Sequence, residues 1–284
     1  MKNFILIAAV VLAQTAGPVA GAGDFRGREP GGLEGEWVAD AAAAETWDQA
    51  ISGLDPSKAI IPIDNASVII EVNATDQDAG FHVSLDSEGW RDVQVFGPNG
   101  RAILRALVWG GIREIGGGTE LFLESQEPEY ESLDELEELI RLLPEGEYRF
   151  IATLVGGDYA IGRAVLSHML PGAPKLVSPM PSPTQECSRV SRSAAVIGWE
   201  PVTEPLPMRV QAQTRDVNIA AYQVIVEDER AGLTLSMTVD AYTNEIMLPA
   251  DFLRRGTEYR FEVLAIEAGG NQTISEACFV IAEE

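Results

Sequence analysis

Apolar residues in this chain recur at every second position, in short runs cut by Gly and Pro, and this pattern constrains the fold more than any other feature. Val68, Ile70 and Val72 alternate with Ile69, Glu71 and Asn73. Successive side chains of a strand point to opposite faces, so a period of two marks a strand with one face in a core. Val93 and Val95 alternate in the same way, Gly97-Pro98-Asn99-Gly100 is a turn signal, and residues 102–108 form a second apolar run. Together they predict a β-hairpin. The same reading predicts strands over 119–124, 148–155 and 159–167, then 194–199, 221–227, 233–239, 245–248, 258–266 and 274–281. Residues 179–192 and 204–217 read as irregular loops. The fold class is mainly β.

One segment follows a different period. Leu133, Leu136, Leu139, Ile140 and Leu143 fall on one face of a helix. Ser132 and Glu135 have the spacing of a capping box, acids crowd the first turn, and Pro144 and Gly146 stop the run. A helix is expected over 132–143.

Two stretches echo each other. Gly146-Glu147-Tyr148-Arg149-Phe150 matches Gly256 followed by Glu258-Tyr259-Arg260-Phe261, and each leads through a glycine pair (Gly156-Gly157, Gly269-Gly270) into a final strand. A motif repeated at about one domain's spacing predicts two copies of one architecture. The second copy carries Pro174, Trp199, Tyr222 in Ala221-Tyr222-Gln223-Val224, Leu248, and Thr257-Glu258-Tyr259-Arg260-Phe261-Glu262-Val263. On these residues it resembles a fibronectin type III domain. The resemblance implies a β-sandwich with Trp199 and Tyr222 in the core and Tyr259 as the tyrosine corner, its hydroxyl bonding back to the preceding connection. The long segment 204–217 and the cysteine pair depart from that pattern. The first copy is similar to a bacterial immunoglobulin-like sandwich around Tyr148 and the Pro-Asn-Gly hairpin. The expected organisation is two tandem immunoglobulin-like or fibronectin type III sandwiches, over 59–171 (containing the helix) and 172–284, parted by Pro171-Gly172-Ala173-Pro174.

Residues 1–22 read as an export signal, with Lys2, the apolar run 4–13 and Ala20-Gly21-Ala22 at the cleavage site. That run is too short for a hydrocarbon core of ~30 Å. A secreted or periplasmic product with no membrane span after signal cleavage is expected. Residues 23–58 read as a flexible or partly helical arm. An oxidising compartment permits a disulfide between Cys187 and Cys278, which would close a loop of about 90 residues and restrict the unfolded chain by roughly 4–5 kcal/mol. Two buried free thiols are the other reading. The net charge of -24 repels phosphate backbones, so nucleic acid is excluded as a partner.

Chemistry is sparse. The two histidines, His82 and His168, stand in no metal-binding or catalytic spacing, and the chain lacks a Gly-x-Ser-x-Gly elbow, a His-Glu-x-x-His helix and a P-loop. No catalytic residue and no cofactor are expected. The most specific polar cluster is Asn73, Asp76 and Asp78 with Gly80, which resembles the opening of a calcium loop. A polar turn between strands explains the same residues, and the acid and helices of a full EF-hand are missing. Trp37, Trp47, Trp90 and Trp109 are candidates for a sugar platform, and ordinary core or hairpin packing accounts for the same rings. Asn65, Asn73 and Asn271 stand in glycosylation-acceptor patterns. The chain reads as an exported, non-catalytic protein-binding or spacer module. The alternative is a polysaccharide-binding module, with calcium as the one candidate ion.

Overall fold

A computed structural model of the chain describes residues 45–181, 187–209 and 216–283. The expected signal segment, most of the arm and Trp37 lie outside the described residues. Helix α1 (Trp47–Ser52) opens the described part. Thr46 caps it by accepting a hydrogen bond from the Gln49 amide, while the Gln49 side chain accepts from the Thr46 amide in return.

Seven strands follow: β1 (Ile60–Pro62), β2 (Asn65–Asn73), β3 (Asp78–Phe96), β4 (Ala102–Leu107), β5 (Gly118–Glu124), β6 (Gly146–Leu154) and β7 (Tyr159–Leu166). Between them lie α2 (Gly110–Glu114) and α3 (Leu133–Ile140). The 19-residue β3 joins two layers. Its first half pairs with β2 and β5, and its second half pairs with β4 and β6. The register breaks between Asp86 and Trp90, where a Cβ on Gly89 would lie 1.9 Å from the Gly116 carbonyl oxygen. Only a glycine lets the backbones approach that closely, and there the strand crosses from one layer to the other. In the sequence Gly80-Phe81-His82-Val83 reads as a strand start and 91–96 as a separate alternating run, whereas the structure joins them in one strand. Helix α2 was not expected in a glycine-rich stretch.

Both layers bury one core. Val68, Ile70 and Val72 of β2 meet Val83, Leu85, Val93, Val95, Tyr148, Phe150 and Leu166, and α3 inserts Leu136 and Ile140. Each large apolar side chain so enclosed contributes about 1.5–3 kcal/mol. Ser132 caps α3 by accepting from the Glu135 amide, but the Glu135 carboxylate accepts from Glu131 rather than from the cap itself. The helical core is shorter than the expected 132–143, and hydrogen-bonded turns carry the chain from Arg141 to Leu143.

The second core has eight strands: β8 (Lys175–Ser178), β9 (Ser188–Val190), β10 (Val196–Glu200), β11 (Ile219–Asp228), β12 (Leu233–Asp240), β13 (Glu245–Met247), β14 (Glu258–Glu267) and β15 (Gln272–Ile281). The order β13-β10-β8 makes one sheet, which packs on β12-β11-β14-β15. This is the sandwich that the fibronectin type III resemblance implies. Trp199, Tyr222, Val224, Tyr259, Phe261 and Phe279 fill it, with Trp199 against Tyr222 and Tyr259 stacked on Phe279. A disulfide joins Cys187 to Cys278 and holds β9 alongside β15.

The two cores are not separate bodies on a linker. β15 pairs in parallel with β2 (Gln272 with Glu71, Thr273 with Val72, Ile274 with Asn73), so one sheet of twelve strands runs through both. Asn271, 1% exposed, bolts the seam. Its Oδ1 accepts from the Ile70 amide, and its Nδ2 donates to the Ser167 and Met169 carbonyls. Thr273 donates to the Pro171 carbonyl. The segment after β10 crosses back, burying Leu206 and Met208 in the first core and donating the Arg209 amide to Glu137 of α3. Residues 45–284 accordingly form one compact unit.

Candidate functional site

The seam brings acids together on the outer face of the sheet. Ile69, His82 and Glu124 lie side by side on β2, β3 and β5, and Glu71 stands two residues from Ile69 on the same face. Gly80, opposite Glu71, leaves room for the Glu127 side chain, whose Cγ would lie 2.9 Å from a Cβ at that position. Ligand atoms of Glu71, His82, Glu124 and Glu127 all lie within 4.8 Å of one another. His82 is 3% exposed, and Phe122 packs edge-on against its ring. His82 Nε2 is 3.6 Å from Glu71 Oε1 and 3.7 Å from Glu124 Oε1, and it makes no hydrogen bond. The other Glu71 oxygen accepts from the Gln272 side-chain Nε2 of β15, across the seam.

Burial sets the charge state of this group. It pushes the Glu71 carboxyl up to about 8, reinforced by Glu127, Glu124 and Glu262 and opposed by the Gln272 hydrogen bond. Glu127 rises to about 7, through burial and the charges of Glu124 and Asp78. Burial lowers His82, and the Glu124 carboxylate only partly offsets it. Across the seam, burial and the neighbouring Glu276 raise Glu262 to about 7. In the sequence nothing marked the four residues as a group. They sit at no motif spacing, and only the strand register gathers them.

Asn73, Asp76 and Asp78 occupy the β2–β3 turn. The Asn73 side-chain oxygen accepts from the Thr75 and Asp76 amides, and its Nδ2 donates to Glu276. Asn271 is committed to the seam, whereas Asn65 is exposed. His168 is buried, with its Nε2 against the Leu143 carbonyl.

Three buried tyrosines share one device. Tyr148 donates to the Pro144 carbonyl, Tyr259 accepts from the Arg254 amide and donates to the Phe252 carbonyl, and Tyr222 accepts from the Val202 amide. Among the tryptophans, Trp90 is buried on the backbone of Gly118 and Trp199 is in the core. Trp47 packs against Phe96 under the Arg149 guanidinium. Trp109 is 71% exposed. It immediately precedes α2, near Ile112 and Ile115, which are also exposed, and it lines a cleft of about 200 Å³ with Arg91, Asp92, Leu107, Arg113 and Thr153.

No protein-family model matches the chain, and no curated protein matches it. Solved structures similar to it include a segment of two fibronectin type III domains from chicken tenascin, at 12% identity and a TM-score of 0.27, covering 76% of this chain and 99% of that one. The FN1–FN3 domains of chicken CNTN1 align at 8% identity and a TM-score of 0.28, over 78% of this chain and 66% of that one. A tetra-tandem repeat from the extending region of a large adhesion protein aligns at 13% identity and a TM-score of 0.26, over 77% and 50%. Among the described residues, no helix is long and apolar enough to cross a membrane.

Proposed function

We propose that the chain is an exported, non-catalytic binding module, in which two β cores joined by one sheet hold out the lobe around Trp109 as the partner-facing surface. The observation that carries this reading is the lobe itself. Trp109, Ile112 and Ile115 are 71%, 51% and 82% exposed, Ile112 on the five-residue helix α2 and the other two flanking it, beside β4, which pairs with β3 alone among the described strands. Contiguous exposed apolar side chains rimmed by Arg91, Asp92 and Arg113 have the composition of a protein-binding patch, where aromatic and Arg residues dominate the energy. The buried Trp90 and the glycines packed around it anchor the base of the lobe.

A polysaccharide is the second reading, favoured by the free Trp109 ring with Asp92, Arg91 and Thr153 at its edge. The aliphatic Ile112 and Ile115 offer nothing to a sugar and favour a protein. Covalent capture from envelope or secreted extract, run beside a glycan array, separates the two. A protein partner lost on Trp109→Ala and Ile115→Ser supports the first reading. Glycan binding lost on Trp109→Ala but kept on Ile115→Ser supports the second. A partner indifferent to both substitutions removes the lobe from the account. Both side chains are exposed, so neither change should alter stability by more than about 0.5 kcal/mol.

A further inference from the structure

We infer that Glu71, His82, Glu124 and Glu127 form a binding site for a divalent transition ion, zinc foremost, which braces the sheet beside the seam. The site shares no residue with the Trp109 lobe or with the Asn73 turn, although the charge of Asp78 in that turn reaches Glu127. It rests first on His82. A buried imidazole normally spends its ring nitrogens on hydrogen bonds, because leaving one bare costs about 1–3 kcal/mol. His82 Nε2 is enclosed and aimed between two carboxylates, yet bonds to neither.

The spacing fits an ion. Ligand atoms about 2.0–2.1 Å from a tetrahedral zinc lie roughly 3.3–3.4 Å from one another. The separations of 3.6 and 3.7 Å from His82 Nε2 to Glu71 and Glu124 are close to that edge and too long for hydrogen bonds. All four ligand atoms lie within 4.8 Å. An imidazole among three carboxylates selects a borderline ion over the all-oxygen shells of calcium and magnesium. Four protein ligands close the tetrahedron, which suits a structural ion rather than a catalytic one with an open position.

Gln272 of β15 donates to the Glu71 oxygen that faces away from His82, fixing the carboxylate's orientation. The link ties the ion to the strand pairing that unites the cores. Gly80 lets Glu127 reach in over the backbone.

The test is titration of zinc into the purified, chelator-stripped chain, in excess calcium so that the general acidity of the surface is already saturated. Cobalt(II) serves as the spectroscopic substitute. The expected result is uptake of a single equivalent, a higher melting temperature, and the intense visible bands of tetrahedral cobalt. Glu124→Gln and Glu127→Gln change partly exposed side chains. Each removes one of the crowded charges, so the chelated protein should stay folded with a melting temperature no lower than the parent's, and zinc should bind at least about tenfold more weakly. His82→Gln should abolish the cobalt bands. If that variant fails to fold, the two glutamine variants decide the matter alone. Lack of stoichiometric uptake in calcium would overturn the inference. So would uptake at the parent's affinity by both glutamine variants.

Discussion

At the residue scale the molecule depends on polar atoms placed inside apolar surroundings. The Tyr259 hydroxyl closes the connection before β14 with two hydrogen bonds, whereas that of Tyr148 makes one to Pro144. Tyr259→Phe removes the partner of both the Arg254 amide and the Phe252 carbonyl and should cost about 1–3 kcal/mol, with Tyr148→Phe nearer 1 kcal/mol, as read by urea denaturation. The crowded acids give a second prediction. Glu71, Glu127 and Glu262 have folded values of about 8, 7 and 7, above an ordinary 4.5. Their protonated forms suit the fold, so their contribution is complete below the unfolded value and is lost as pH rises through the folded values. In chelator, the melting temperature should therefore fall between about pH 5 and pH 8.5. Glu262→Gln should flatten that slope, and an unchanged slope would refute the assignment.

At the element scale the decisive feature is the parallel contact between β2 and β15. Parallel neighbours need a long connection, and here most of the chain supplies it. Its weakest substitution is Asn271→Ala, which strips partners from the Ile70 amide and from the Ser167 and Met169 carbonyls at once. A loss of about 3 kcal/mol or more is expected, and chemical denaturation measures it. Little of this was legible in sequence. Alternating Val68, Ile70 and Val72, or the Leu stripe of α3, announce themselves because a strand's or helix's period is a local property. Asn271, beside Gly269-Gly270, looks like any polar turn, because its partners lie about a hundred and two hundred positions away. His82 and Glu124 each fit their own strand, and only cross-strand register makes them neighbours. The sequence did not single out Trp109 as exposed over Trp37, Trp47 and Trp90, and the helix that follows it was not legible, since Gly110 and Gly111 argue against one.

On the scale of the whole molecule, the seam turns two sandwich-like halves into a single body. Leu206 and Met208, which leave the second core to be buried in the first, act in the same sense as the shared sheet. Two sandwiches on a flexible tether would reorient freely and present the Trp109 lobe at no fixed angle. A body held by buried hydrogen bonds keeps it fixed. Hydrogen exchange followed by mass spectrometry across a urea series tests this most directly, by comparing β6 and β7 of the first core with β11 and β14 of the second. The account predicts that protection in both pairs is lost at one denaturant concentration, and that Asn271→Ala separates the two losses. Loss at two well-separated concentrations in the unaltered chain would contradict it.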